Sequence, residues 1–283
     1  MRKYVQQQTA ALLQRLATQV NRAAGTGSPD AIHDLRVAIR RLSRGLRVFA
    51  PFYRDDSWKS IRRELRRVMQ MAGTVRDRDI AVGCLAKAGV EKGAAIVTRL
   101  RAERRRANRE FLDEIRGWKE LGIARQWLRR LEVPLEQDDP STPLANARHT
   151  LPALAGEYYA QVRAVLEESP DPKDLHRARL ATKRFRYTLE LFRSCYGRGL
   201  ETRIAALRKV QQLLGDVNDS VATWTLLSKV MEKSLERKRV REFLKRRAKQ
   251  GAAAFRKEWE ENFDAPGRER WWKSYLKNMA KSA

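Results

Sequence analysis

The feature that most constrains this chain is a helix written twice. "IHDLRVAIRRLSRGLRVF" (32–49) and "LHRARLATKRFRYTLELF" (175–192) align at a shift of 143 residues. His33 meets His176, Arg36 meets Arg179, Ala38 meets Ala181, Arg41 meets Arg184, Leu46 meets Leu189, Phe49 meets Phe192 and Tyr53 meets Tyr196. At a shift of 142, "LRRVMQMAGTVRD" (65–77) meets "LRKVQQLLGDVND" (207–219), with Gly73 on Gly215 and Asp77 on Asp219. The pairs keep their order with one residue of slip. A chance likeness of two arginine-rich helices does not explain coincident Gly, Gln, Asp and Tyr, so the chain reads as an internal duplication.

Each copy is helical. Apolar residues recur at helical spacing, as at Leu35, Ile39, Leu42, Leu46 and Phe49, and no alternating strand pattern of useful length occurs. The expectation is an all-α fold. Breaks are expected at "GTGSPD" (25–30), around Pro51, at Gly73, at "KAGVEKG" (87–93), at "SPDPKD" (169–174), at "YGRG" (196–199) and at Gly215. The polar, proline-rich "EVPLEQDDPSTPL" (132–144) reads as a central linker. The expected organisation is a first half over 1–132, a linker over 133–144, a second half over 145–265 and a basic, aromatic tail over 266–283, with about four helices per half.

Placed at about 100° per residue, His33, Arg36, Arg40, Arg44 and Arg47 gather on one side of the first helix, opposite Leu35, Leu42, Leu46 and Phe49. In the second copy His176, Arg179, Lys183, Arg186 and Tyr187 share a face, and Arg41 and Arg184 flank their respective columns. A solvated helix face normally mixes signs, because like charges one turn apart repel. The first face contains no acid at all. Here composition matters: 60 Lys+Arg against 34 Asp+Glu leave a formal charge of +26, which points to an anionic partner. Arginine forks suit phosphate oxygens, and histidine among cations is a donor whose protonation a bound anion favours. A second basic column, "RLRAERRRANR" (99–109), aligns with "REFLKRRAKQG" (241–251), pairing Arg101 with Lys245 and Arg105 with Lys249. There a solvated helix and a ligand-facing one remain equal alternatives.

Other chemistry is thinly represented. Gly73 and Gly215, each followed by an Asp at 77 and 219, read either as a helix stop and the next cap or as a setting in which Asp77 and Asp219 hold neighbouring arginines. The sequence has no phosphate-binding glycine loop, no nucleophile elbow, no zinc motif and no acids arranged for Mg²⁺, so neither metal, cofactor nor catalysis is expected. His149 has no counterpart and reads as structural. Cys84 and Cys195 make no disulfide framework, the N-terminus is too polar for a signal peptide, and no apolar run approaches the ~20 residues of a membrane span. A soluble, cytoplasmic protein is the expectation.

The doubled H-x-x-R-x-x-x-[RK]-R-x-x-x-x-x-x-x-F, with L-R-x-V-x-Q-x-x-G-x-V-x-D downstream in each half, resembles the CHAD domain family of histidine-containing α-helical domains, over roughly residues 1–259. The resemblance implies two four-helix halves related by a pseudo-twofold axis around a basic central cavity that binds inorganic polyphosphate; granule targeting, regulation and scaffolding all fit such binding. It carries the ligand role to His33, Arg36, Arg40, Arg41, Arg66, His176, Arg179, Lys183, Arg184 and Arg208. Arg44 and Arg186 join them from the helix faces, and Arg101, Arg105, Lys245 and Lys249 from the second column. The first copy ends "GTVRDRD" and the second "GDVNDS", so Asn218 stands where Arg76 would bind phosphate, and the halves should contribute unequally. Family members are often joined to a triphosphate-processing domain. Its E-x-E-x-K signature is missing near the start, and the chain reads as a stand-alone, non-hydrolytic binding module.

The competing reading is nucleic-acid binding, which the charge alone would equally support. Single-strand binders interleave exposed aromatics with the basic groove. Phe49, Phe185 and Phe192 fall on apolar faces here, which leaves Tyr187 as the exception. Trp271 and Trp272, among cations, suit either an interface or packing back onto the bundle.

Overall fold

A computed structural model describes residues 1–135, 141–167 and 170–278. Residues 136–140 of the expected linker, residue 169 of the break at 169–174, and residues 279–283 of the expected tail lie outside the described residues. Ten α-helices and no strand occur among those described. The chain divides into two compact units, Met1–Asp139 and Pro140–Ala283.

The first unit holds α1 (Arg2–Thr26), α2 (Pro29–Val48), a 3-10 turn (Ala50–Phe52), α3 (Ser57–Lys87), α4 (Ala95–Glu120) and α5 (Ile123–Arg130). Local chemistry sets the junctions. Gly27 closes α1 at φ 54°, in the left-handed region that a side chain would strain. Ser28 then caps α2, its hydroxyl accepting the Ala31 N–H, with Pro29 supplying a helical φ at the first position. The apolar stripe of α2, Leu35, Leu42, Leu46 and Phe49, is fully buried. Each such side chain contributes roughly 1.5–3 kcal/mol. α1 packs on α2, α4 and α5, and α3 on α2 and α4. Tyr53, in the turn after α2, shares a 2.9 Å hydrogen bond with Thr9 of α1, and burial pushes its phenol up to about 12.

The second unit holds α6 (Pro143–Leu166), α7 (Pro172–Leu191), a 3-10 turn (Arg193–Cys195), α8 (Gly199–Leu227), α9 (Leu235–Asn262) and α10 (Arg268–Asn278). Asp171 and Asp174 form a reciprocal capping box at the start of α7. The core is aromatic: Tyr158, Phe185, Trp259, Phe263 and Trp272 meet at centroid distances of 5.0–6.3 Å.

Two expectations need correction. Each unit has five helices, not four, because α5 and α10 carry tryptophans that finish the cores. Trp127 meets Trp118 edge-on at 5.1 Å, and Trp272 lies on Phe263 at 5.8 Å. The residues at 268–278 are thus a helix packed on α6 rather than a tail. Gly73 and Gly215 end nothing: they lie inside α3 and α8. Each helix runs on because its buried stripe continues past the glycine, through Val75 and Ala81 in α3 and through Val217 and Thr223 in α8. Packing of that stripe outweighs a helix-interior glycine penalty of about 1 kcal/mol.

Candidate anion-binding site

In the first unit the basic columns of α2 and α3 come together. Arg36 crosses over α3, and its Nη1 donates to the Met69 carbonyl at 3.1 Å. Gly73 makes room for that crossing: Nη1 lies 3.3 Å from where a Cβ would sit. His33 is exposed at the start of α2, its Nδ1 2.6 Å from Arg76 Nη1 on α3. A guanidinium can only donate, so Nδ1 accepts and His33 is neutral with its proton on Nε2. Burial first, then Arg76 and Arg40, hold its pKa below 6.5; Asp34 opposes them and Arg36 adds to them. The pair opens on a cavity of about 290 Å³ lined also by Asp30, Ile32 and Asp79. Arg40, Arg41 and Arg44 are half-buried along α2, and Arg66 is exposed on α3.

In the second unit the same partnership recurs with opposite polarity. His176 Nδ1 lies 2.8 Å from Asn218 Oδ1. An amide oxygen accepts, so here the histidine donates. Arg179 and Lys183 are half-buried, Arg208 is exposed, and Arg184 is exposed and paired with Glu157 at 3.1 Å.

Arg186 and Tyr187 do not share the exposed face expected of them. The Arg186 guanidinium is buried, donating to Glu190 at 2.6 Å and Gln211 at 3.0 Å. It lies 4.3 Å over the ring of Tyr187, which is itself buried. Burying an arginine is costly unless its charge is compensated, and Glu190, one turn on, compensates it here.

The second basic column stands apart. Arg101 and Arg105 are exposed on α4, Arg101 donating to the Lys92 carbonyl at 3.2 Å, and Lys245 and Lys249 are exposed on α9. Among the described residues no ion pair or hydrogen bond links them to α2 or α7. Arginines elsewhere on α4 and α9 are held by other acids: Asp79 takes Arg104 at 3.1 Å, and Asp216 takes Arg247 at 2.7 Å. Asp77 and Asp219 are helix-interior positions, so neither is a cap. His149, expected to be structural, is exposed on α6. Cys84 and Cys195 are buried, free thiols. Among the described residues no cluster of His, Cys, Asp or Glu could hold a metal, and no helix is long and apolar enough to cross a membrane.

A family model described as CHAD domain matches residues 7–228. The chain belongs to the CHAD domain family. Its fold is similar to that of the crystal structure of the CHAD domain from the plant Ricinus communis, with a TM-score of 0.65 at 20% identity over 98% of this chain and 93% of that one. It is also similar to PptA from Streptomyces chartreusis, with a TM-score of 0.67 at 19% identity over 90% of this chain and 99% of that one. No curated protein sequence matches it. Within this CHAD fold, the sequence marked Arg76 and Asn218 as equivalent positions, but their contacts with His33 and His176 depend on how α3 and α8 pack.

Proposed function

We propose that this CHAD chain binds inorganic polyphosphate, as a non-catalytic module, through the cationic faces of α2–α3 and α7–α8. The observation that carries this reading is the surroundings of His33. Arg76, Arg40 and Arg36 converge on it, with Asp34 opposing them and Asp30 and Asp79 lining the cavity beside it. Cations gathered on one histidine favour a bound anion there. The ligand residues of this reading are His33, Arg36, Arg40, Arg41, Arg44 and Arg66 in the first unit and His176, Arg179, Lys183, Arg184 and Arg208 in the second. Arg101, Arg105, Lys245 and Lys249 extend it, and Arg186 serves as a buried support.

The same reading makes the units repeats related by a pseudo-twofold axis, divided over 133–144, whose faces serve one cavity. Its support is the shared order of elements: five helices in each unit, with a 3-10 turn after the second. It places the protein in the cytoplasm, at polyphosphate granules. Nucleic acid is the weaker alternative, because Tyr187, the aromatic that the repeated basic helices α2 and α7 offered for stacking, is buried.

The test is competition of long-chain polyphosphate against single- and double-stranded nucleic acid at one salt concentration, repeated across salt. Polyphosphate should displace both. Log affinity should fall with log salt by about 0.7 per phosphate neutralised, using the single-strand value as a guide. A nearly flat salt plot, or nucleic acid outcompeting polyphosphate, would sink the reading.

A further inference from the structure

The cationic face of the first unit runs past the ligand residues of α2, which end at Arg44. Arg47 is exposed in the last turn of α2. Across from it, Arg62 and Arg66 stand one turn apart on α3. Arg62 lies 5.7 Å over the ring of Trp58, which holds it in place, and its Nε is shielded from solvent with no acceptor. Among the described residues, Arg47, Arg62 and Arg66 have no carboxylate within ion-pair distance. Desolvation, Arg47 and Arg66 together weaken the hold of Arg62 on its proton.

The second unit replaces this patch. At the repeat shifts, Arg44 corresponds to Tyr187, Arg47 to Glu190 and Arg62 to Ile204. Tyr187, Glu190 and Ile204 are buried or half-buried, and Glu190 is spent on Arg186. Only Arg208, the counterpart of Arg66, remains.

We propose that Arg47, Arg62 and Arg66 form an additional phosphate-anchoring site, present in the first unit alone, so that an extended phosphate chain is held mainly along α2–α3. This rests on the polyphosphate reading above. From Arg36 to Arg47 the face extends about 16 Å at a rise of about 1.5 Å per residue. That length calls for a run of several phosphates, and three uncompensated guanidinium groups at its far end select a linear polyanion over a single phosphate.

The experiment measures long-chain polyphosphate affinity across salt for the full chain, for Arg47→Gln plus Arg62→Gln, and for Arg129→Gln plus Arg239→Gln. The last pair removes equal charge from exposed positions on α5 and α9. The first pair should lose about tenfold or more in affinity and lower the salt slope by about 1.4, two phosphates' worth. The second pair should stay within about twofold of wild type. Without ligand, the thermal midpoint of the first pair should not fall, because like-charge repulsion is relieved. If it does fall, Arg62→Lys decides: binding restored by the restored charge supports anchoring, and binding still lost makes Arg62 a packing residue and overturns the proposal. Equal affinities for the two double variants overturn it too, and an accompanying loss in Arg36→Glu would leave the polyphosphate reading standing. Wild type that ignores polyphosphate overturns both.

Discussion

At the scale of the residue, the two histidines differ in what their partners permit. Arg76 requires His33 to accept, whereas Asn218 lets His176 donate. Protonating His33 therefore breaks its bond to Arg76 and sets one guanidinium against an imidazolium. The folded-state pKa of His33 is lowered, so below about 6.5 the unfolded chain binds more protons than the folded one. Stability contributed by neutral His33 is present above that value and is lost as pH falls through the lowered folded pKa. A bound polyanion acts in the opposite sense by favouring the imidazolium, so affinity should rise as pH falls. Arg76→Asn, which copies the second unit, should move the His33 titration midpoint upward when followed by NMR of the ring protons. A midpoint unchanged or lowered would show that Arg76 does not set the protonation state.

At the scale of the element, one pair of glycines separates packing from function. Gly73 and Gly215 occupy equivalent places in α3 and α8, but only Gly73 has a neighbour, the Arg36 guanidinium. Gly215→Ala should stabilise the protein by about 1 kcal/mol, the gain in helix propensity where space is open. Gly73→Ala should gain less, because its Cβ displaces Arg36 from the Met69 carbonyl, and it should weaken polyphosphate binding. Thermal melts and a binding isotherm check both, and equal behaviour of the two variants would show that Gly73 has no part in seating Arg36. The same glycines show how far sequence reading reached. The breaks expected at 25–30 and 169–174 fell where Ser28–Pro29 and Asp171–Pro172 start helices, because a cap depends on residues a few positions away. A glycine stop is different: whether a helix passes through depends on the burial of the stripe beyond it. Arg186 turned inward for a similar reason: Glu190 on its own helix neutralises it while Gln211 of α8 accepts its Nε–H, and a helical wheel of one segment does not contain that second partner.

At the scale of the molecule, the duplication was readable because it is a property of order, and it placed both histidine faces on second helices. What it concealed was divergence between copies. Arg47 against Glu190, and Arg76 against Asn218, are single substitutions in a preserved frame, and their effect depends on neighbours brought in by α3 and α8. If both faces serve one ligand, Arg36→Glu and Arg179→Glu should each weaken binding of a long chain, and the double variant should depart from the sum of the two losses. One ligand bound per chain, measured by calorimetry, should accompany that coupling. Strictly additive losses with two ligands per chain would instead describe two separate sites.

The aromatic core of the second unit also bears on how the chain is made. Trp272 closes that core against Phe185 and Phe263, and Tyr196, in the turn after α7, donates to the carbonyl of Leu276. Arg203 of α8 is clasped by Trp271 and Tyr275 of α10, at 3.7 and 3.4 Å, with burial pushing its pKa down to about 10. All of these contacts reach to α10, the helix translated after every other one described. As the ribosome delivers residues in order, α1 to α5 can bury their apolar stripes while α6 to α9 are still being threaded out. The later helices must wait, with Phe185 and Phe263 uncovered, until α10 emerges. Vectorial synthesis thus lets the cationic surface of one unit form before the other has closed, and the aromatic core of the second unit stays exposed to misfolding until α10 emerges.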